Sequence, residues 1–229
     1  MKFPTLELNK WINSIKNLKG IFSVFGDFGV GKTTFALQTA INTAKIGKNV
    51  IYVYTKPNFP SEKIQLIKKD SKEILDNIIF VHITNFDELY RVIFNFEFLV
   101  LNFLNEKMTK LNFIIIDSIT NLYNLELNKD NKKKNYNRNY QLNQILANLT
   151  YLNESYGIEI LIVNEISRKT RENQIIEVQS GGKVMEFWVK YNLKINKTNK
   201  LNERKFIFNN ILEKQSIEFN SNLREKGFE

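Results

Sequence analysis

The chain has 229 residues, of which 43% are hydrophobic and 25% are charged, and it carries a formal net charge of +9 at pH 7. This length suits one well-buried domain, and the composition excludes a chain that is disordered throughout. With no cysteine and a single histidine, His82, the sequence also excludes disulfides, cysteine-based zinc sites and histidine clusters. The basic excess favours a polyanionic partner, nucleic acid before a membrane surface, although charge alone leaves simple solubility equally open.

Neither a secretory signal nor a membrane-spanning segment is predicted. Met1 to Lys10 has no uninterrupted apolar core. The most apolar stretch, Tyr90 to Leu104, is interrupted by polar residues and is shorter than the ~20 residues that cross a bilayer. Together with the absence of cysteine, these features predict a cytoplasmic protein without a membrane partner.

Short apolar runs alternate with helix-like segments over the first two thirds of the chain. Most of these runs lack the polar alternation of a one-sided sheet, which is typical of strands covered on both faces. Strands that alternate with helices predict an α/β fold with a mostly parallel central sheet flanked by helices. The predicted strands are Ile21–Phe25, Val50–Tyr54, Ile78–Val81, Phe113–Ile116 and Ile158–Val163, and the predicted helices are Thr33–Ile46, Phe86–Leu104 and Tyr140–Tyr156.

The last third of the chain has a different pattern. Val189–Ile195, Lys205–Phe208 and Ile217–Phe219 are short β-like pieces joined by polar turns, and they predict antiparallel strands at the far edge of the sheet. Earlier in the chain, Asn128–Asn139 is rich in Asn and Lys and is interpreted as a mobile surface loop. Because no linker or internal repeat is visible, we expect a single domain over residues 1–229.

The segment from Gly26 to Thr33 fits the pattern G-x-x-x-x-G-K-[ST] of phosphate-binding loops, between an apolar strand and a helix-like segment. Glycines let the backbone N–H groups point inward at phosphate oxygens, and the following helix adds its positive dipole end. In this pattern the lysine reaches the β- and γ-phosphates and the threonine hydroxyl holds Mg²⁺. ATP with Mg²⁺ is therefore the predicted ligand. The predicted nucleotide-binding residues are Gly26, Asp27, Phe28, Gly29, Val30, Gly31, Lys32, Thr33 and Thr34.

A second acidic position follows the predicted strand Phe113–Ile116. Asp117 ends this apolar run, and in phosphate-loop proteins an aspartate at such a strand end holds Mg²⁺, directly or through water. Taken alone, the pattern fits an aspartate that caps a turn equally well. Because a phosphate loop is also present, the metal role is favoured, and Thr33 and Asp117 are the predicted metal-binding residues.

The segments around these motifs resemble the RecA/RadA recombinases, most closely the archaeal RadB-like paralogs without an N-terminal helix-hairpin-helix domain. The resemblance runs from about Leu18 to Gly227. It implies a RecA-like core, ATP and Mg²⁺ binding with Lys63 beside the nucleotide, DNA binding, and an accessory role in recombination and repair with feeble ATPase activity. The segments that carry it are Ile116 to Thr120, Leu161 to Glu165, Gly181 to Trp188, and the spaced residues Phe59, Glu62, Lys63 and Ile64.

Two positions depart from that resemblance. Relatives end the second strand with Asp-Thr-Glu-Gly, whose glutamate activates the attacking water, whereas Lys56 stands at that position here. An ammonium cannot accept a proton, which predicts weak or absent hydrolysis. Glu165 stands where relatives have a glutamine sensor, and it is the candidate substitute base. The Phe-x-x-Ala polymerisation motif does not occur in the sequence, which argues against filament formation through it.

Basic residues occur where the resemblance implies two DNA-binding loops. Cations beside a tyrosine suit phosphate contact together with base stacking, although a solvated charged loop is the alternative. We expect single-stranded or branched DNA as a partner, with a recombinase or another recombination protein as a second one. The candidates are Lys132, Lys133, Lys134, Tyr136 and Arg138 in the first loop, and Arg168, Lys169, Arg171 and Lys183 in the second.

Two other functions stay open at this stage. One is an active RecA-fold ATPase, such as a KaiC-like or helicase-like motor, which turnover measured with and without DNA would reveal. The other, less favoured, is a P-loop kinase, which needs an arginine-bearing lid over the phosphates. The sequence contains no clear lid of this kind.

Overall fold

A computed structural model of the chain describes residues 1–15, 18–68, 72–105, 110–171 and 174–229. The helices are α1 Leu6–Ser14, α2 Lys32–Ala44, α3 Ser61–Lys68, α4 Phe86–Asn105, α5 Ile119–Glu126, α6 Lys132–Tyr156 and α7 Gly182–Trp188, with a 3₁₀ helix at Lys72–Asn77. The strands are β1 Ile21–Gly26, β2 Asn49–Tyr54, β3 Ile78–His82, β4 Leu111–Asp117, β5 Glu159–Arg171, β6 Gln174–Gln179, β7 Val189–Lys197, β8 Glu203–Asn210, β9 Gln215–Arg224 and β10 Gly227–Phe228.

The strands form one sheet in the order β10-β9-β8-β7-β1-β5-β4-β2-β3, with β6 paired to β5 outside this path. Strands β1 to β5 pair in parallel, as predicted for a sheet whose strands alternate with helices. The pairs β7–β8, β8–β9 and β9–β10 are antiparallel. The mostly parallel α/β sheet with antiparallel strands at its C-terminal edge is therefore confirmed. One detail differs, because β7 itself runs parallel to β1 and the antiparallel part begins only with β8.

Helices cover both faces of this sheet. The core on one face takes its side chains from α1, α2 and α3, and the core on the other face takes them from α4, α5, α6 and α7. Strand β4 shows why its sequence is apolar at every position: Phe113 and Ile115 pack into the first core, and Ile114 and Ile116 pack into the second. Such two-sided burial is typical of parallel strands.

The interpretation of Asn128–Asn139 as a mobile loop was wrong for most of that segment. Helix α6 begins at Lys132, eight residues before the predicted start at Tyr140. Asn131 caps it, because its side-chain oxygen accepts a hydrogen bond of 2.9 Å from the backbone N–H of Lys134. Asparagine is a favoured N-cap and lysine is a good helix former, so the same composition that resembles a loop encodes an exposed first turn.

The predicted strand Ile158–Val163 is also longer than its apolar run. Strand β5 continues to Arg171 and pairs with β6 as an antiparallel hairpin that extends beyond the parallel sheet. The residues expected in a second DNA loop therefore lie partly on this hairpin. In the described part of the chain, we find no helix that combines the length and the apolar character needed to cross a bilayer.

Candidate nucleotide-binding site

The carboxyl ends of the parallel strands bring four chain segments to one edge of the sheet. Gly26 at the end of β1 is level with Glu165 on β5, and Tyr54 at the end of β2 is level with Asp117 at the end of β4. Ligands of open α/β sheets bind at this edge. The predicted phosphate loop and the predicted metal-binding aspartate thus meet at the edge where a nucleotide is expected.

The phosphate loop has the predicted strand–loop–helix setting, between β1 and α2. Gly31 precedes α2 with a φ of 103°, a backbone conformation that favours glycine. A Cβ atom on Gly31 would lie 2.8 Å from the ring of Phe228 and 2.9 Å from the side chain of Leu223, so the loop also has no room for a larger residue there. The N-terminus of α2, with its unpaired N–H groups, follows directly, as anion binding requires.

Lys32 is held in one position above this loop. Its side chain is only 6% exposed. The Nζ atom donates to the carbonyl oxygens of Gly26 at 2.7 Å and Asp27 at 2.9 Å, and to Oε2 of Glu165 at 2.9 Å. Glu165, the candidate base, therefore forms an ion pair with the lysine that is expected to contact phosphate. Phosphate oxygens and the Glu165 carboxylate would compete for the same ammonium.

Asp117 is completely buried next to this loop. Its Oδ2 atom accepts a hydrogen bond of 2.9 Å from the hydroxyl of Tyr52, whereas its Oδ1 atom has no hydrogen-bond partner. Burial, together with the nearby Asp117 carboxylate, raises the pKa of Tyr52 well above its ordinary value, so this hydroxyl keeps its proton and stays a donor. One carboxylate oxygen of Asp117 is thus available for a cation.

The cation that faces this oxygen is the side chain of Lys56. Its Nζ atom lies 3.4 Å from Oδ1 of Asp117 and donates a hydrogen bond of 3.0 Å to the hydroxyl of Thr33. The hydroxyl and the buried carboxylate are oxygen donors of the kind that Mg²⁺ prefers, so the two predicted metal-binding residues fit this ion. The ammonium of Lys56 lies between them.

A cavity of about 360 Å³ opens over these groups. Beside the predicted residues, it is lined by Leu223 of β9 and by Lys56. Four of the predicted nucleotide- and metal-binding residues do not line it. Gly26 ends β1, Val30 and Asp117 are completely buried, and the carboxylate of Asp27 lies 3.1 Å from the guanidinium of Arg168. The predicted residues that do line it are Phe28, Gly29, Gly31, Lys32, Thr33, Thr34, Lys63 and Glu165.

The basic residues at the start of α6 have contrasting surroundings. Lys132, Lys133 and Tyr136 are exposed. Lys134 pairs with Glu126 at 2.9 Å, and Arg138 pairs with Asp87 and lies 3.4 Å from Glu126. Because the side chain of Arg138 is only 14% exposed, it ties α6 to α4 and α5 instead of pointing freely into solvent.

Two cations of the hairpin β5–β6 also have acidic partners. Arg168 lies 3.1 Å from Asp27 and 3.2 Å from Glu177, and Lys169 lies 3.4 Å from Glu186. Arg171 ends β5, and its side chain lies outside the described part of the structure.

A second cavity is lined by one of the predicted DNA-binding residues, Lys183. Lys183 is exposed on α7 and lines this cavity of about 410 Å³ together with Asn139 of α6 and Ser167 of the hairpin. Asn139 directly follows Arg138, the last candidate of the first predicted loop, but the candidates of that loop do not line this opening themselves.

The Rad51 family model matches residues 6–213. The chain belongs to the Rad51 family. A protein of Methanococcus maripaludis strain C5, named DNA repair and recombination protein RadB, is 32% identical over 192 residues, which cover 83% of this chain and 82% of that protein. Proteins of the same name from M. maripaludis strain C7 and Methanocaldococcus jannaschii are 34% identical over 191 residues (83% and 82% covered) and 31% identical over 187 residues (79% and 80% covered). The resemblance to RecA/RadA recombinases of the RadB-like type is confirmed.

In this Rad51-family chain, the sequence patterns missed a buried polar network behind the site. Asn164, completely buried on β5, bonds to the hydroxyl of Thr120 and donates 2.8 Å to the carbonyl of Ser180. The hydroxyl of Ser180 in turn accepts a bond of 3.1 Å from Asn124. The network connects β5, one residue before Glu165, to the segment before Gly181. The only sequence signal for this network was Asn164, a polar residue directly after the apolar run that ends at Val163.

Proposed function

We propose that this chain binds ATP and DNA and assists homologous recombination and DNA repair, with little or no ATP hydrolysis. The observation that carries the proposal is the phosphate loop with Lys32 fixed above it, in a chain whose relatives are named DNA repair and recombination protein RadB. We further propose that it works in the cytoplasm, which a cysteine-free sequence suits, and that its second partner is a recombinase or another recombination protein.

In this proposal the nucleotide's phosphates lie over the N-terminus of α2. Backbone N–H groups of the loop, the helix dipole and Lys32 supply the positive field that holds them. Thr33 and Asp117 are the residues that would hold Mg²⁺, which neutralises phosphate charge when it is bound. Lys63 also lines the cavity, where its ammonium adds charge beside the nucleotide.

Weak hydrolysis follows from the groups that surround the phosphate position. A general base must hold a free lone pair within hydrogen-bond reach of the attacking water. Lys56 stands at the position of the family's glutamate, and a lysine ammonium has no such lone pair. Glu165 has one, but its carboxylate is paired with Lys32 at 2.9 Å. We therefore retain Glu165 as the candidate substitute base and expect it to be inefficient.

For DNA, we propose that the exposed and unpaired side chains make the main contacts. Among the described residues, Lys132, Lys133, Tyr136 and Lys183 are exposed and have no acidic partner within ion-pair or hydrogen-bond distance. They offer phosphate contacts and one stacking ring. Lys134, Arg168 and Lys169 must first break an ion pair with a carboxylate before they can contact DNA. Arg138 holds α6 in place through its own ion pairs. We therefore propose that these four residues contribute less to DNA binding. Arg171 stays a predicted contact.

One purified sample tests the three parts of the proposal. Calorimetry measures ATP affinity, fluorescence anisotropy measures binding of labelled single-stranded and branched DNA at several salt concentrations, and phosphate release measures turnover with and without DNA. We expect ATP binding, salt-dependent DNA binding with little sequence preference, and slow turnover. Absence of ATP binding by the folded protein would refute the nucleotide part. Rapid turnover stimulated by DNA would instead indicate an active motor.

A further inference from the structure

Lys56 lies where the two predicted metal-binding residues converge. Its Nζ atom is 3.0 Å from Oγ1 of Thr33 and 3.4 Å from Oδ1 of Asp117. The Asp117 carboxylate is completely buried, and Tyr52 satisfies only its other oxygen. A buried carboxylate needs a compensating positive charge nearby. The ammonium of Lys56 supplies that charge in the described structure.

The backbone holds Lys56 in this place. The N–H of Thr55 donates to the carbonyl of Asp117 at 2.8 Å, and the Thr55 hydroxyl exchanges hydrogen bonds of 2.9 and 2.8 Å with the backbone of Ser118. On the next strand, the ring of His82 lies 3.0 Å from the carbonyl oxygen of Lys56 and donates to it through Nε2. Thr55 is thus fixed to the residues at the end of β4. This contact places Lys56 so that its ammonium reaches Thr33 without a rearrangement of the strand ends.

Among the residues that the structure describes, Lys56 is the cation paired with Asp117. The ammonium of Lys32 is occupied by two loop carbonyls and by Glu165. Asp117 is also not part of a larger acidic cluster, because the described residues contain no group of three or more His, Asp or Glu side chains that would hold a metal ion. The pairing of Lys56 with Asp117 is therefore specific to these two side chains.

We propose that the ammonium of Lys56 is a built-in cation at the metal position, and that it lets this chain hold a nucleotide without a divalent ion. The proposal rests on the proposed ATP binding. A lysine ammonium has three N–H donors. One of them is donated to Thr33, and the 3.4 Å ion pair with Asp117 needs at most a second, which leaves a third for a phosphate oxygen. A divalent ion that entered the same place would be repelled by the ammonium or would have to displace it.

The test compares ATP affinity in excess Mg²⁺ with affinity in EDTA, by calorimetry with a slowly hydrolysed ATP analogue. For the wild type we expect the two dissociation constants to agree within about threefold, because the cation belongs to the chain. Lys56→Ala should lose about 10- to 100-fold in EDTA, since one charged hydrogen bond to phosphate is gone. In Mg²⁺ the same variant should recover most of its affinity, because Thr33 and Asp117 become free for the metal.

Lys63→Ala is the matched control, because it removes a lysine from the same cavity whose ammonium contacts the carbonyl oxygen of Glu225, at 3.5 Å, and not Thr33 or Asp117. We expect it to weaken binding by the same factor in Mg²⁺ and in EDTA. Electron paramagnetic resonance with Mn²⁺ gives a readout independent of affinity. With the analogue bound, Mn²⁺ should be immobilised far more strongly by Lys56→Ala than by the wild type.

Three results would overturn the proposal. The first is a wild-type affinity that falls at least about tenfold in EDTA, a comparison that needs no variant and so does not depend on the folding of Lys56→Ala. The second is a folded Lys56→Ala protein with the same Mg²⁺ dependence as the wild type. The third is a wild type that binds no nucleotide in either condition, and this result alone would also refute the proposed function.

Discussion

Lys32 and Lys133 carry the same charge in very different surroundings. Lys32 is 6% exposed and donates hydrogen bonds to two backbone carbonyls and one carboxylate. Lys133 is exposed on the first turn of α6, and no partner for it occurs within the described part of the chain. The first ammonium is fixed before any ligand arrives, whereas the second must be ordered by its ligand. Preorganised charges give affinity for one defined group, and solvated charges give attraction that salt weakens.

The phosphate loop and the start of α6 also differ in whether their lysines are paired with carboxylates. Around the phosphate loop, the two lysines that lie closest to the predicted phosphate and metal positions each have a carboxylate beside them: Lys32 has Glu165, and Lys56 has Asp117. At the start of α6, two neighbouring lysines have no such partner among the described residues. Substitutions in the two regions should therefore produce different kinds of loss, and the following predictions separate them from the largest expected effect to the smallest.

The largest effect is expected on turnover. With Mg²⁺ and single-stranded DNA present, Lys56→Glu should raise steady-state phosphate release from a slow wild-type rate by up to about 10²-fold. This is the lower end of what a general base contributes. The new carboxylate would lie near that of Asp117, so the gain requires the divalent ion. A phosphate-release assay on both proteins measures it.

Glu165→Gln serves as the companion variant, because it removes the carboxylate that is paired with Lys32. If Glu165 is the substitute base, its loss should lower the residual turnover while ATP affinity rises by about threefold, since a competitor for Lys32 disappears. Robust wild-type turnover that survives Glu165→Gln would contradict the account of weak hydrolysis.

The next effect is on nucleotide affinity. Lys32→Ala should weaken ATP binding by about 30-fold, because a preorganised, charge-assisted contact to phosphate is lost. Calorimetry measures the change. Lys45→Ala is the control, since this exposed lysine caps the other end of the same helix. An unchanged affinity for a folded Lys32→Ala protein would remove the phosphate loop from the binding site.

A smaller and different effect is expected at the start of α6. Replacing Lys132, Lys133 and Lys134 by Ala should flatten the dependence of log K on log[salt] by about 2 for single-stranded DNA, if all three contact phosphate. Lys134 is paired with Glu126, so the double variant Lys132→Ala/Lys133→Ala should already lower the magnitude of this slope by about 1.4.

DNA anisotropy titrations at several salt concentrations measure this slope. Removing two exposed lysines elsewhere, Lys45 and Lys200, is the charge-matched control, which should leave the slope almost unchanged. An equal loss of slope in both double variants would mean that net charge, and not this turn of α6, attracts DNA.

The smallest effect is on stability at acid pH. The hydrogen bond from Arg138 holds the pKa of Asp87 below its usual value, and the one from Lys134 does the same for Glu126. A lowered pKa means that the stabilisation is complete above the ordinary carboxylate range and is lost as the pH falls below about 4. Arg138→Ala should lower the melting temperature slightly at neutral pH and flatten this acid dependence. Melting curves measured from neutral to acid pH check this. If the melting temperatures of the wild type and Arg138→Ala fell equally with pH, Arg138 would not stabilise the fold through these carboxylates.

The parts of the molecule that could be predicted from the sequence are those in which neighbours in the chain determine the structure. The phosphate loop is one continuous segment, and the strands Val50–Tyr54 and Phe113–Ile116 are apolar because helices cover both faces. The first turns of α6 were missed because an asparagine cap followed by lysines has the composition of a loop. The hairpin beyond Val163 was missed because exposed strands lack an apolar run.

The geometry of the site depends on residues far apart in the chain. Thr33, Lys56 and Asp117 come from the ends of different elements. The sheet register brings the ammonium of Lys56 to 3.0 Å from Thr33 and to 3.4 Å from Asp117. The sequence identified each residue separately, but not that the lysine would lie between the other two. Leu223 in the wall of the cavity had no sequence signal, because its position depends on a strand near the end of the chain.

The contact of Gly31 with Leu223 and Phe228 has a consequence for biosynthesis. Strand β1 lies between β5 and β7, and the wall behind the phosphate loop comes from residues made nearly two hundred positions later. Gln38 of α2 bonds to the backbone of Phe228 in both directions, at 2.8 and 3.0 Å. On the ribosome, the loop therefore emerges early but lacks the side chains that pack against Gly31 until residues 223–228 follow. The nascent chain consequently cannot complete the cavity over the phosphate loop until translation has passed these residues, and a product truncated before them would lack that wall.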